Sequence, residues 1–499
     1  MSAKPIRRSA LLALALLMAA AVPVRATTPP TFTVVDSIQP GSGGSYAMDN
    51  SDSVALGDYL YFSANDGSTG DELWRTNGVT TELVLDIYAG SSSSGPDEFF
   101  AFGGYLYFQA DEPTGGNELW RTDGTALGTT RVYDINEGTD SSYPRYFTPF
   151  GGYLYFYAYT APDGYELWRT DGTAVGTTLI TNISPGADSS YPGNFAVLGS
   201  YLYFQANDGT SGYELWRTNG TALGTTQVAD IEPGAASSSP YHLTALGSYL
   251  YFGATDDTNG TELWRTNGTT TTLVDDISSG VDSGYPQDLT EFGGYLYFQA
   301  NDNANGTELW RTNGTSTTRV TDIYAGSDSS FPQELTVFGD YLYFQARDGI
   351  AGGELWRTNG TITTQVADIL AGADGSFPDT LNVLGDYIYF AAYDGNIDMV
   401  YRTDGTSAEP VPFPNEDYSI NCDCYDTYLA TAGSRLFVTV YSNAEGNEFA
   451  YLTEPTYVLP ETNRDGGVGS AWTIALSALA LVTLAAGVGL RRRAGVAQR

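Results

Sequence analysis

Between residues 192 and 230 the hydrophobic positions come in four short bursts, each closed by turn-forming residues. Residues 195–198 end in a Gly-Ser turn, Tyr201-Leu-Tyr-Phe-Gln-Ala206 runs into Asn207-Asp208-Gly209, Glu214-Leu-Trp-Arg-Thr218 meets Asn219-Gly220, and residues 226–230 finish the set. Short alternating runs separated by Asn-Gly and similar pairs predict four antiparallel strands joined by hairpins. Nothing in the unit follows a 3.6-residue period, and its glycine and threonine content opposes helix. In the third strand the alternation puts Glu and Trp on one face, Leu and Arg on the other.

That unit recurs. Tryptophans of a Glu-Leu-Trp-Arg-Thr strand stand at Trp74, Trp120, Trp168, Trp216, Trp264, Trp310 and Trp356, with a decayed copy at Tyr401, at a period of 46 to 48 residues. Where both occur, the second-strand phenylalanine precedes its tryptophan by 12 residues, as in Phe62 and Trp74 or Phe344 and Trp356. The fourth-strand Asp, or Asn182 in its place, precedes the next such phenylalanine by 22, as in Asp86 and Phe108. Linkers between independent domains do not hold length so strictly. Abutting units that cover one another's faces predict an all-β fold, a β-propeller of four-stranded blades across residues 31–458. Phenylalanine equivalents from Phe62 to a degenerate Val438 give nine blades, with eight plus an irregular terminal unit as the alternative. Residues 31–36 read as a fourth strand without a blade before it, suited to completing the last one. The placement of Glu and Arg further predicts an ion pair between the Glu of one blade and the Arg of the next.

The two ends have another character. Lys4, Arg7 and Arg8, an apolar run over 10–22 and Val24-Arg25-Ala26 have the order of a secretory signal over residues 1–26, cut after Ala26. Residues 471–490 carry no charge and are long enough for one transmembrane helix; 464–470 link it to the repeats, and 491–499 form a basic tail opening on Arg491, Arg492 and Arg493, which positive charge holds in the cytoplasm. Leu459-Pro460-Glu461-Thr462-Asn463 stands just upstream. The order of pentapeptide, apolar span and basic tail resembles the sorting signal of LPXTG cell-wall-anchored proteins, which implies a sortase-like transpeptidase acting after Thr462. Asn463 occupies the place of that family's glycine. A permanent single-pass anchor is the alternative, and both put the repeats on the extracellular face.

Charge narrows the partners. The formal net charge is −37, and the two ends hold nine of the 22 basic residues, so the repeats are more acidic still. Such a surface excludes nucleic acid and is compatible with solubility, cation association or a saline habitat. With His242 the only histidine and Lys4 the only lysine, nucleophile relays and Schiff-base chemistry are excluded. A polysaccharide hydrolase using paired carboxylates remains as an alternative, although most acids recur at repeat positions where catalytic residues would break the pattern. Cys422 and Cys424 are a candidate local disulfide or idle thiols.

Asp66, Asp208, Asp302 and Asp348 precede tight turns, where an Asx turn accounts for them and calcium is the other reading; no firm metal site or cofactor follows. Asn301-x-Asn303-x-Asn305-Gly306 imitates a calcium loop, but the twelfth position is Thr312 and no helix flanks it. Asn-Gly-Thr triplets such as Asn219 and Asn313 are read as hairpin turns and not as glycan sites.

From Glu118 to Thr129 the chain reads Glu-Leu-Trp-Arg-Thr-Asp-Gly-Thr-Ala-Leu-Gly-Thr, which resembles the ELWxxDGT repeat of bacterial extracellular proteins; the match continues through Asp-Ile-x-x-Gly and Leu-Tyr-Phe over roughly 370 residues. It implies a secreted or surface propeller and leaves the chemistry open. Arg145, Asn194, His242, Asp288 and Glu334 follow the proline that opens each blade and differ from unit to unit, which marks a ligand rim for a polysaccharide or protein. The expected function is a non-catalytic surface binding or adhesion module, with a passive envelope component as the rival.

Overall fold

Phenylalanine and tryptophan meet across the central hairpin of each regular blade: Phe62 opposite Trp74, Phe204 opposite Trp216, Phe344 opposite Trp356. This pairing is what the fixed 12-residue spacing encodes. The computed structural model describes residues 30–35, 38, 53–414, 418–420, 429–442 and 446–453. The signal, the sorting motif, the linker, the apolar span, the tail and Cys422 with Cys424 lie outside the described residues. Among those described, no helix is long and apolar enough to cross a membrane.

The described strands form nine four-stranded antiparallel sheets, eight of them built from consecutive strands. The fourth blade, for example, comprises Gly193–Leu198, Tyr201–Asn207, Tyr213–Thr218 and Thr226–Ala229. Among the described residues a single 3-10 turn, Ala222–Gly224, interrupts this all-β pattern. The ninth sheet takes Leu429–Ala432, Arg435–Ser442 and Gly446–Thr453 from the end of the chain and Thr33–Val34 from its beginning. Thr33 pairs with Tyr451 and Val34 with Ala450, the closure expected of residues 31–36. First strands neighbour one another from blade to blade, and Val54–Leu56 completes the circuit against Leu429–Ala432.

Each blade presents one face to the blade before it and the other to the blade after. Leu60, Phe62 and Trp74 pack on Phe437 and Phe449 of the ninth blade, while Tyr61 and Leu73 pack on Leu106, Phe108 and Trp120 of the second. Fully burying each such side chain contributes about 1.5–3 kcal/mol. The core is therefore a series of interfaces between neighbours, as in other repeat architectures.

The expected Glu–Arg ion pair is not what joins the blades. Glu214 is fully buried and accepts hydrogen bonds from the Ile231 and Ser238 amides and from Ser238 Oγ at 2.7–2.9 Å, which pins the connection leading to the next blade. Glu72, Glu118, Glu166, Glu308 and Glu354 hold the same connection through an isoleucine amide and a serine hydroxyl. The arginine works elsewhere. Arg217 lies over the Tyr201 ring, 4.4 Å from its centre, and donates to the Gly268 carbonyl of the next blade at 2.7 Å. Glu and Arg do face a common interface from its two sides, but three residues separate them along the strand, about 10 Å in height.

Strand direction sorts the loops onto two ends. Second-to-third-strand turns and the connections between blades lie at one end; first-to-second and third-to-fourth turns lie at the other. Gly446–Thr453 is a third strand and Thr33–Val34 a fourth, so the chain enters and leaves the propeller at that second end.

Candidate functional site at one mouth of the channel

Seven of the nine innermost strands, those of the second to eighth blades, open with a distorted entry at the first of these ends. Two residues past the proline, Glu98, Tyr146, Asn194, His242, Asp288, Glu334 and Thr380 all have φ between 51° and 60°. Where the pairing is continuous enough to follow, the register shifts across this residue, as between Gly193 and Ala196. A side chain in the left-handed region costs about 1 kcal/mol or more, and such strain is stored where the surrounding structure holds it. Four of the five expected rim residues belong to this row. Arg145 does not: the structure aligns it with Asp97, Gly193 and Tyr241, and the third-blade member of the row is Tyr146. Counting from the proline separates the two rows, since Arg145 directly follows Pro144 whereas Asn194, His242, Asp288 and Glu334 lie two residues past theirs.

The rim residues are spread around the mouth, one per blade, and several reach the next blade. Glu98 accepts from the Tyr146 amide at 3.4 Å and pairs with Arg145 at 3.8 Å; Asn194 Nδ2 donates to the Pro240 carbonyl at 3.1 Å. His242, Asp288 and Glu334 converge on a polar cleft of about 690 Å³ with Gln287, Gln299 and Gln333. Burial pushes the Asp288 carboxyl upward, with His242 opposing. Burial also raises Glu334, reinforced by the negative charges of Asp379 and Asp288.

A second cleft, of about 600 Å³, opens between the third blade (Arg145–Phe150, Tyr153–Thr160, Gly164–Thr170, Thr178–Thr181) and the fourth. Tyr146, Tyr157, Tyr191 and Tyr213 wall it, with Asn194 and Gln205 as polar groups and Gly193 at its edge. Tyr146 meets Tyr157 edge-on at 5.2 Å, and Tyr191 stacks on Tyr165 at 5.4 Å.

The residue before each opening proline was not singled out from the sequence. Tyr143, Tyr191, Tyr285, Phe331 and Phe377 hold φ of 44–47° and are 42–57% exposed, forming a band of aromatic side chains on the same end. Their amides are anchored, as where Tyr285 donates to the Thr261 carbonyl at 3.1 Å. The signal was present as a recurring Tyr-Pro or Phe-Pro pair, hidden among 37 tyrosines, many of which belong to the Tyr-Leu-Tyr-Phe strand.

The loop aspartates lie at this end too, in Asx turns. Asp66 Oδ1 accepts from the Ser68 and Thr69 amides, Asp208 from Thr210 and Ser211, Asp302 from Ala304 and Asn305, Asp348 from Ile350 and Ala351, all at 2.7–3.1 Å. Burial works to raise Asp66 and Asp208, but these hydrogen bonds outweigh it and bring both carboxyls below the ordinary range. Among the described residues no three His, Cys, Asp or Glu side chains are grouped to hold a metal ion.

No protein-family model and no curated protein sequence matches the chain. Among solved structures, similarity is found to a puromycin hydrolase, at 15% identity and a TM-score of 0.37 over 69% of this chain and 58% of that one. Prolyl endopeptidases match at 13% and 0.39 over 81% and 55%, and oligopeptidase B from Leishmania major at 12% and 0.39 over 70% and 53%. The chain spans little more than half the length of these proteins, and at these TM-scores the likeness bears on neither chemistry nor partners.

Proposed function

We propose that the chain is a surface-displayed propeller that binds a polysaccharide or protein partner at the channel mouth, without catalysis. The observation that carries this reading is where the units differ. The Leu, Tyr, Phe, Glu, Leu and Trp positions repeat from blade to blade, whereas the rows containing Gly193, Asn194, Gln205 and Tyr213 change, and all four rows border the mouth. The chain enters and leaves at the opposite end, which suits a tether behind and a ligand in front. The LPXTG-like segment and the 471–490 span supply that tether, cell-wall-linked or membrane-spanning. The resemblance to ELWxxDGT-repeat extracellular proteins agrees with an extracellular location.

A passive envelope component is the second reading, favoured by the rim side chains Glu98 and Asn194 being engaged with neighbouring blades. The test is binding of the full chain, in a sugar-free detergent, to an array of bacterial and host glycans and extracellular-matrix proteins, with calcium and with EDTA. Saturable binding weakened by Tyr285→Ala or Glu334→Gln is the expected result. Silence in both arms moves the protein to the passive reading, and turnover of a bound polysaccharide moves it to the hydrolase.

A further inference from the structure

Resting on that binding reading, we infer that the cleft between the third and fourth blades is a subsite for a neutral sugar ring. In the second and sixth blades the first residue of the inner strand faces a second-strand partner, and the two side chains close the space between them by a hydrogen bond. Gln109 Nε2 donates to Asp97 Oδ2 at 3.3 Å, and Gln299 Nε2 to Gln287 Oε1 at 2.9 Å. In the fifth blade the Tyr241 ring lies so close against Gly253 that any side chain there would collide with it. The fourth blade pairs Gly193 with Gln205, and a Cβ at Gly193 would meet nothing nearer than 3.9 Å. One side chain of the closing pair is missing, and the cleft stands in its place.

What surrounds the gap departs from the repeat in one direction. Tyr157 stands where other blades have Gln109, Gln299 or Gln345, and Tyr165 and Tyr213 where they have Asn117, Thr261 or Thr307. Tyr146 and Tyr191 are 54% and 46% exposed, and their rings are braced, Tyr146 edge-on against Tyr157 and Tyr191 stacked on Tyr165. A ligand meeting them loses little to side-chain ordering, because the walls are positioned beforehand.

The lining also lacks charge. In a chain of net charge −37 no Asp, Glu, Arg or His lines this cleft, in contrast to the polar cleft with His242, Asp288 and Glu334; Arg145, opposite Tyr157 in the strand pairing, is paired with Glu98 at 3.8 Å. Anionic sugars are disfavoured by the field of the whole protein, and a cation finds no carboxylate here. A pyranose ring combines a C–H face that stacks on tyrosine with hydroxyls that pair with the amides of Asn194 and Gln205. A volume of about 600 Å³ lies within the usual range for small-ligand sites and admits more than one ring.

Gly193→Gln tests this with little risk to folding, since it recreates the closed glutamine pair of the sixth blade. The full chain in sugar-free detergent would be titrated by calorimetry with neutral cello-, manno- and chito-oligosaccharides, with oligogalacturonate, and with a tyrosine-containing neutral peptide. The expected result is saturable binding of a neutral oligosaccharide, reduced at least tenfold by Gly193→Gln and by Tyr146→Ala and unchanged by Leu223→Ala in the exposed turn at the opposite end, with an unaltered melting temperature. Neutral-sugar binding that both cleft variants leave intact overturns the subsite but keeps the propeller as a binding module. Preference of the cleft for oligogalacturonate or the peptide also overturns it. If the wider array of glycans and matrix proteins is silent as well, the binding reading falls together with the subsite.

Discussion

In the ninth blade the guanidinium of Arg435 lies 5.5 Å from the centre of the Tyr451 ring, with the two residues exchanged between strands relative to the rest of the molecule. In each of the other eight blades the matching pair takes its cation from the third strand and its ring from the start of the second, as with Arg75 over Tyr59 at 4.2 Å. Register equates Arg435 with Tyr59 and Tyr451 with Arg75, so the pair survives while its members trade places. Arg435→Tyr and Tyr451→Arg should each lower stability by about 0.5–1 kcal/mol, and the double variant should recover most of the loss. Chemical unfolding of the four proteins measures the coupling; simple additivity would show that the two residues do not act as a pair.

The motif glutamates predict an acid-favouring stability curve. Burial pushes Glu118, Glu166 and Glu262 up to about 7, against the hydrogen bonds they accept from the blade connections. From the unfolded value of 4.5 up to about 7 the folded chain holds more protons than the unfolded one. Stability from these groups is therefore full below 4.5 and declines as pH rises through 7. Asp66 and Asp208, being lowered, act in the opposite sense and lose their contribution only as pH falls below 3.8. The melting temperature should be higher near pH 5 than at pH 8, and Glu166→Gln should flatten that slope.

Gly220 tests the fit between blades. Its φ is +90°, a Cβ there would collide with the Tyr155 hydroxyl of the preceding blade, and its carbonyl accepts from Arg169 Nη1 at 2.9 Å. Gly220→Ala should cost more than about 2 kcal/mol, combining left-handed strain with loss of the close approach. Gly199→Asn, at φ +61° with open space around it, should cost less than about 1 kcal/mol. Urea unfolding of both variants gives the comparison.

Phe32 is the anchor of the closing strand: it is 2% exposed and stacks on Phe413 at 5.0 Å. Phe32→Ala should destabilise the closed ring by about 3–5 kcal/mol. Limited proteolysis reads the effect as faster cleavage near Val34, with the interior blades still protected. Equal protection in both proteins would mean that closure does not depend on this side chain.

The architecture was legible because a strict period writes both the hairpin register and the contact between neighbours, and Phe204 and Trp216 face each other as their spacing requires. The site was legible only in outline. Alternation along a strand tells which face Glu214 and Arg217 occupy, but not that three residues of height keep facing blades from pairing them. The row containing Asn194 was visible as variation, and counting two residues from Pro144 puts its third-blade member at Tyr146; the left-handed backbone the row shares was not visible, because no residue type in it is diagnostic. The aromatics before proline were obscured by chemistry of the same kind inside the blades.

A ring clasped by its own two ends differs from a stack of repeats in how it comes apart. A stack frays one unit at a time from a free terminus, whereas here every blade has two neighbours and no terminal unit exists to peel away. Opening begins at the seam, where Thr33–Val34 lies against Gly446–Thr453. During synthesis the same seam is the last part to form, since its first strand must wait for the final one. Resistance to proteases thus rests on a two-residue strand, and whatever guards that seam governs the lifetime of the whole ring.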